Sequence, residues 1–273
     1  MIIKDCPEFK DKKAKHAWLH KHQEKLIRLA KEEIKRADGI PFVTGASPNK
    51  IVKATGTGAK DTLQGKLIIN TAKLMDSHDD VHIPGLWDKS VSENNYIMLI
   101  REHKMAFDYI IADWDDITAL VSEYTWKELG FKFPGSTEAL QFNANIKSRR
   151  NPYMFNQYMD GYVKNHSVGM RYVRLGLAIN DDQYTENYSL WEKYYPIIAN
   201  KERPDELGYF WAVPEAKVIE GSAVPLGSNY ATPTQELKGA PSDDTRRKHI
   251  SAPSLDTRKA EQIIKEQFKK IVI

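Results

Sequence analysis

"YVKNHSVGMRYVRL", Tyr162 to Leu175, decides the fold. From Ser167 onward the residues alternate as a strand does, and Gly169 stands two places after the serine. The segment before it, "NPYMFNQYMDGYVKN", starts with Asn151 as a cap and Pro152 at the first helical position. The spacing predicts a helix that delivers the chain to Ser167 and a strand that leaves from it. Further strands follow the same reading on both sides: "KLIINTA", "YIMLI", "YIIAD", "ITALVSEYTW", "LGFKF", "LQFNANI" and "AKVIEGSAV". All are short, β-branched or aromatic, and separated by polar or Gly/Pro punctuation. The expectation is an α+β protein, mainly an antiparallel β-barrel core surrounded by helices.

Residues 14–37 read as an amphipathic helix, with Trp18, Leu19, Leu26, Ile27, Leu29 and Ile34 as its apolar stripe. "YTENYSLWEKYYPIIANK" reads as an aromatic helical insertion between two strands, its rings destined for packing. The chain after about Thr234 is polar and rich in Pro, Ser and Gly, a linker followed by a short amphipathic helix. The expected organisation is an N-terminal extension over 1–50, a central domain over 51–235, and a flexible tail over 236–273.

Bulk properties narrow the function. The 40 basic and 37 acidic residues leave a net charge of only +3, which does not call for nucleic acid as the main partner. A single cysteine, Cys6, excludes a disulfide framework and any multi-cysteine zinc site. The first residues, "MIIKDCPEFKDKK", carry charges inside their only apolar stretch and do not read as a signal peptide. No run approaches the roughly 20 apolar residues of a membrane span. A soluble, intracellular protein is expected.

Ser167 is a nucleophile only if a base can take its proton and a third group can hold that base. Of the eight histidines, His16, His20 and His22 lie among lysines on the first helix and read as solvated, and His249 lies in the tail. His103 ends the strand-like "YIMLIREHK", where a side chain leaves the core and enters a site. His166 adjoins Ser167, so strand alternation points it away from that serine. Glu220 is a carboxylate in an apolar strand, costly there unless paired. Arg171, four residues from Ser167, is expected to share its face. In "MDSHDDVHIPG", Asp76, His78, Asp79, Asp80 and His82 form a dense set of metal-ligand types, though their spacing fits no defined metal motif.

Taken in order, "MDSHDDVHIPGLWDKSV", "IMLIREHK", "NHSVGMRY" and "IEGSAVPLGSN" resemble the prohead (capsid maturation) serine proteases of tailed bacteriophages, themselves similar in fold to the herpesvirus assemblins. The resemblance spans about residues 65–232. It implies an assemblin-like barrel, with His103 as the catalytic base, Ser167 of the Ser-x-Gly strand start as the nucleophile, and Glu220 of a Glu-x-Ser-x-Val segment as the orienting group. Gly221 stands where an aliphatic residue is usual. The implied activity is cleavage of scaffold and major capsid proteins, and of the chain itself, in the host cytoplasm inside the assembling prohead. No cofactor or metal is required. A homo-oligomer is compatible; a membrane or nucleic-acid partner is not expected. Two alternatives stand beside it: a catalytically silent assembly or scaffold component, and a metal-dependent hydrolase built on the Asp76–His82 cluster.

Overall fold

A computed structural model describes residues 6–36, 61–94 and 96–239. The tail helix and His249 lie outside the described residues. Five α-helices and nine strands are ordered along the described chain: α1 (Lys12–Glu32), β1 (Thr62–Thr71), β2 (Asp80–His82), α2 (Asp88–Glu93), β3 (Met98–Arg101), β4 (Ile110–Ala112), β5 (Ile117–Thr125), β6 (Ser136–Lys147), α3 (Pro152–Met159), β7 (Asn165–Ile179), α4 (Thr185–Tyr194), α5 (Glu202–Leu207), β8 (Tyr209–Val224) and β9 (Thr234–Lys238). The expected helix before Ser167 is α3, capped by the Asn151 side chain on the Met154 amide at 3.1 Å, with Pro152 in its first turn.

The strands form two sheets. One has the order β5-β6-β1-β9 and is antiparallel throughout. The other has β8 at its centre. β7 runs antiparallel along β8, while β2 and β3 lie parallel to successive stretches of it, and β4 pairs with β3. The α+β class holds, and most pairings are antiparallel. Among the described residues the hydrogen-bonded ladders do not close into a barrel. β9 also carries regular structure a little past residue 235.

The core lies between the sheets. Leu67, Leu140 and Phe142 from one meet Leu99, Met170, Val213 and Val218 from the other, all fully buried. Burying each such side chain stabilises the fold by about 1.5–3 kcal/mol. The aromatic insertion packs as expected: Trp191 lies against Phe210 and Tyr195. No helix among the described residues is long and apolar enough to cross a membrane.

Helix α1 is docked on the core, which corrects the solvated reading of its histidines. His16 is buried, its Nε2 3.0 Å from the Leu207 carbonyl, and His20 Nδ1 lies 2.7 Å from the Asn187 side chain. A mixed polar stripe reads as solvated in sequence. Here its histidines find partners on the α4–α5 excursion, which the sequence does not place nearby. Beyond α1 the chain pairs with β7, where Lys35 N–H donates to the Met170 carbonyl at 2.8 Å and Met170 N–H to the Lys35 carbonyl at 3.0 Å.

Candidate active site

β3 and β8 run side by side, with Met98 opposite Glu220, Ile100 opposite Ser222 and Arg101 opposite Ala223. The ladder gives one more bond, Glu102 N–H to the Ala223 carbonyl at 3.0 Å, and then the chain turns. Glu102 and His103 both take left-handed backbone, with φ of 53° and 57°. Two consecutive non-glycine residues in this region are unfavourable and persist only where their surroundings hold them. The His103 N–H is held by Ser222 Oγ at 3.0 Å.

This turn carries the His103 ring over β8. Its Nδ1 lies 2.6 Å from Glu220 Oε1, and Ser222 Oγ donates to Glu220 Oε2 at 2.7 Å. A carboxylate only accepts, so the proton of the His103–Glu220 bond sits on Nδ1 and leaves Nε2 as the basic nitrogen. Nε2 is buried and has no hydrogen-bond partner among the described residues.

Ser167 comes to the same place from β7. It stands directly opposite Ser222, and Gly169 directly opposite Glu220. Residues opposite each other in an antiparallel pair share a sheet face, as do residues two apart on a strand. Ser167, Gly169, Glu220 and Ser222 therefore share one face, with His103 lying over it. Gly169 is explained by the carboxylate rather than by a substrate: a Cβ there would lie 2.1 Å from Glu220 Oε1. The Glu220 side chain occupies the space above the glycine. Ser167 is 4% exposed, and no hydrogen bond joins it to His103 among the described residues.

The segment after β8 forms a wall beside the serine. A Cβ on Gly227 would lie 2.7 Å from the His166 carbonyl oxygen and 3.6 Å from Ser167 Cβ, so the backbone at 227 packs against the serine strand. The wall is fixed along its length. Asn165 donates to the Pro225 carbonyl at 3.2 Å, the Ser77 amide donates to the Ser228 carbonyl at 3.1 Å, and Asn229 exchanges bonds with Thr71.

His166 points away from the site and is fully buried, with Nε2 3.0 Å from the Tyr158 hydroxyl and Nδ1 3.1 Å from the Thr232 carbonyl. Burial pushes it down to about 4 although the Thr232 bond favours its charged form. Arg171 lies on the face of Ser167 and is exposed: the extra residue of the register shift after Gly169 is Ile219 on β8, so β7 keeps its alternation, with Val168, Met170 and Tyr172 in the core. Arg174 is paired with Glu215 at 2.7 Å.

The acidic segment forms a second buried network. Asp76, Asp80 and His82 place one ligand-type atom each within 4.8 Å of one another. Lys35, which sequence reading missed, puts its Nζ 2.9 Å from Asp76 and in contact with Asp80. Tyr172 donates to Asp80 at 2.5 Å, and Ser228 to Asp76 at 3.2 Å. Burial pushes both carboxyls up, but the Lys35 ammonium overcomes this and holds both below the usual carboxylate range. Burial likewise opposes the charge on Lys35, and the two aspartates reverse that and raise it. Asp79 turns aside to Arg203 and Tyr209. A metal at Asp76, Asp80 and His82 would have to displace the ammonium already lying between the carboxylates.

No protein-family model, curated protein or solved structure matches the chain.

Proposed function

We propose that the chain is a serine endopeptidase with Ser167 as nucleophile, His103 as base and Glu220 as the group that orients the base. One observation carries this reading. His103 is fixed through Nδ1 to a buried carboxylate, and its buried Nε2 is uncommitted on the sheet face that carries Ser167. Serine, imidazole and carboxylate then have the roles of a catalytic triad. Ser167 attacks a peptide carbonyl while His103 Nε2 takes its proton, and the proton passes to the leaving amine. Water then hydrolyses the acyl-enzyme by the same route in reverse. Substrate closes the gap between serine and imidazole, since such contacts are often long before substrate binds. The rigid wall at Gly227 and Ser228 supplies backbone amides to the oxyanion.

The resemblance to prohead proteases narrows the substrates to scaffold and major capsid proteins, and to the chain itself, inside the assembling prohead. It also makes the two sheets halves of an assemblin-like barrel. The pairing of β7 at Asn165 with Pro233, just before β9, supports that reading because it ties one sheet to the other.

The test compares wild type with Ser167→Ala and His103→Ala, on self-cleavage and on the cognate scaffold and capsid proteins. Each variant is expected to stay folded and lose about 10⁴-fold or more in rate. Equal cleavage by all three removes the serine mechanism. Loss of cleavage on chelation brings forward the metal-hydrolase reading, for which the two unpartnered ring nitrogens of His82 speak. Absence of cleavage by wild type brings forward the silent assembly component.

A further inference from the structure

Two serines lie face to face in this site, and they are not equivalent. Ser167 and Ser222 are register partners on β7 and β8, so their side chains lie about 4.5–5.5 Å apart at Cβ on one face. Ser222 is fully buried, and both functions of its hydroxyl are in use. Its proton goes to Glu220 Oε2 and its oxygen accepts the His103 N–H. Ser167 makes neither bond.

We propose that Ser222 is the positioning residue of the site, one hydroxyl that fixes the base and its carboxylate relative to each other. This rests on the serine-protease reading above. The argument is geometric. Glu220 has two oxygens and a flexible stem. With Oε2 tied to Ser222, the carboxylate can rotate only by breaking that bond, so Oε1 stays on His103 Nδ1. The backbone of His103 has left the β3–β8 ladder and adopts left-handed φ, so its N–H has no strand carbonyl to meet. Ser222 Oγ takes the place of that carbonyl. The same oxygen therefore places the histidine's main chain and, through Glu220, its ring. A buried N–H without an acceptor is costly, so the turn at 102–103 depends on this hydroxyl. Ser222 touches neither substrate nor reacting atoms; it acts through the other two residues.

The experiment uses the full chain and separates this role from the protease reading. In a Ser167→Ala background, which prevents self-cleavage, proton NMR follows the downfield resonance of the His103 Nδ1–H. That resonance is identified by its loss in His103→Ala. Adding Ser222→Ala is expected to displace or broaden it in a protein that still unfolds cooperatively. With Ser167 present, Ser222→Ala is expected to lower kcat about 10²-fold with KM nearly unchanged, because the base is misplaced rather than substrate lost. If Ser222→Ala does not fold, Ser222→Cys keeps the shape with a weaker donor and is expected to move the resonance in the same direction. An unchanged resonance in the folded variant overturns the proposal, and so does an unchanged kcat. Labelling of Ser222 by a fluorophosphonate in the Ser167→Ala chain also overturns it. Should wild type cleave nothing, the protease reading fails, and the resonance still decides what Ser222 holds.

Discussion

The two buried polar networks of this chain lie on the same sheet and differ in how their carboxylates are held. Around Asp76 and Asp80, a lysine, a tyrosine, a serine and two backbone amides fill the carboxylate oxygens. Around Glu220, both carboxylate oxygens are also engaged, and among the described residues the network ends on an imidazole nitrogen with no partner, on the sheet face that carries Ser167. Satisfied buried networks rigidify a fold, and uncommitted polar atoms are where chemistry can enter. Charge separates them further. The first neutralises buried carboxylates with an ammonium from a distant part of the chain. The second holds its carboxylate with hydrogen bonds from Ser222 on the same strand and from His103 in the turn after β3.

The largest contrast is expected from Lys35→Met. It leaves two buried carboxylates without a counter-charge and should cost about 3–5 kcal/mol in denaturant unfolding. The folded fraction should retain its proteolytic rate, since Lys35 lies outside the triad. Unchanged stability would mean that the first network does not depend on the ion pair and would erase the contrast.

Gly169→Ala should do the opposite. The new methyl would displace the end of a flexible side chain, so the fold accommodates it while the Glu220 carboxylate leaves His103. Activity is expected to fall about 10²-fold, read from kcat at saturating peptide, with a modest change in melting temperature. Full activity in this variant would show that Glu220 does not orient the base.

The smallest effect is on pH. Burial, helped by Lys35 and opposed by Asp76 and Asp80, depresses His82 to about 4, and burial depresses His166 to about 4, whereas both titrate near 6.5 when unfolded. Between these values the unfolded chain binds more protons than the folded one. Stability is therefore complete above about pH 6.5 and falls as pH drops toward 4. Each histidine should account for a loss on the order of 2 kcal/mol at pH 5. Denaturant midpoints at pH 7.5 and pH 5 measure the slope. His82→Leu should reduce it without loss at pH 7.5, because neither ring nitrogen has a partner. A large loss at pH 7.5 would assign His82 a bonding role and move the first network closer to the second.

Ser167, His103 and Glu220 stood out in the sequence because strand reading puts each at a place where its chemistry is unusual: a strand start, a strand end and the inside of an apolar run. Seven of the nine strands were legible as short β-branched or aromatic runs between turns; β2 and β9 were not, and "LGFKF" forms a turn and irregular chain instead of the expected strand. Ser222 and Lys35 did not stand out. A serine in a strand has no sequence signature for its cross-strand partners, and Ser222 acts through residues on β3 and its own strand. Lys35 follows a basic helix and reads as solvated; only the pairing of its backbone with Met170 carries its side chain under the sheet. The bulge after Gly169 escaped for the same reason. Its extra residue, Ile219, lies on β8, so that strand changes face there while β7 keeps its period. The parallel pairings of β2 and β3 with β8 depend on long-range register, which local pattern does not carry.

β7 and β8 meet again at Ile179 and Tyr209, and the Asn180 amide bonds the Gly208 carbonyl at 2.9 Å across the neck. Everything between, α4 and α5 included, is an excursion from one long hairpin. The reacting groups stand at the open end of that hairpin and the excursion at its closed end. The excursion behaves as a cassette: drift in its length would leave the Ser167–Ser222 register in place. Its rings roof Val81, Ile83 and Ala212, so what such drift modifies is the shelter over the Asp80 strand. The sequence distance between Ser167 and Glu220 is thus set by that roof, and carries no information about the span that separates them in space.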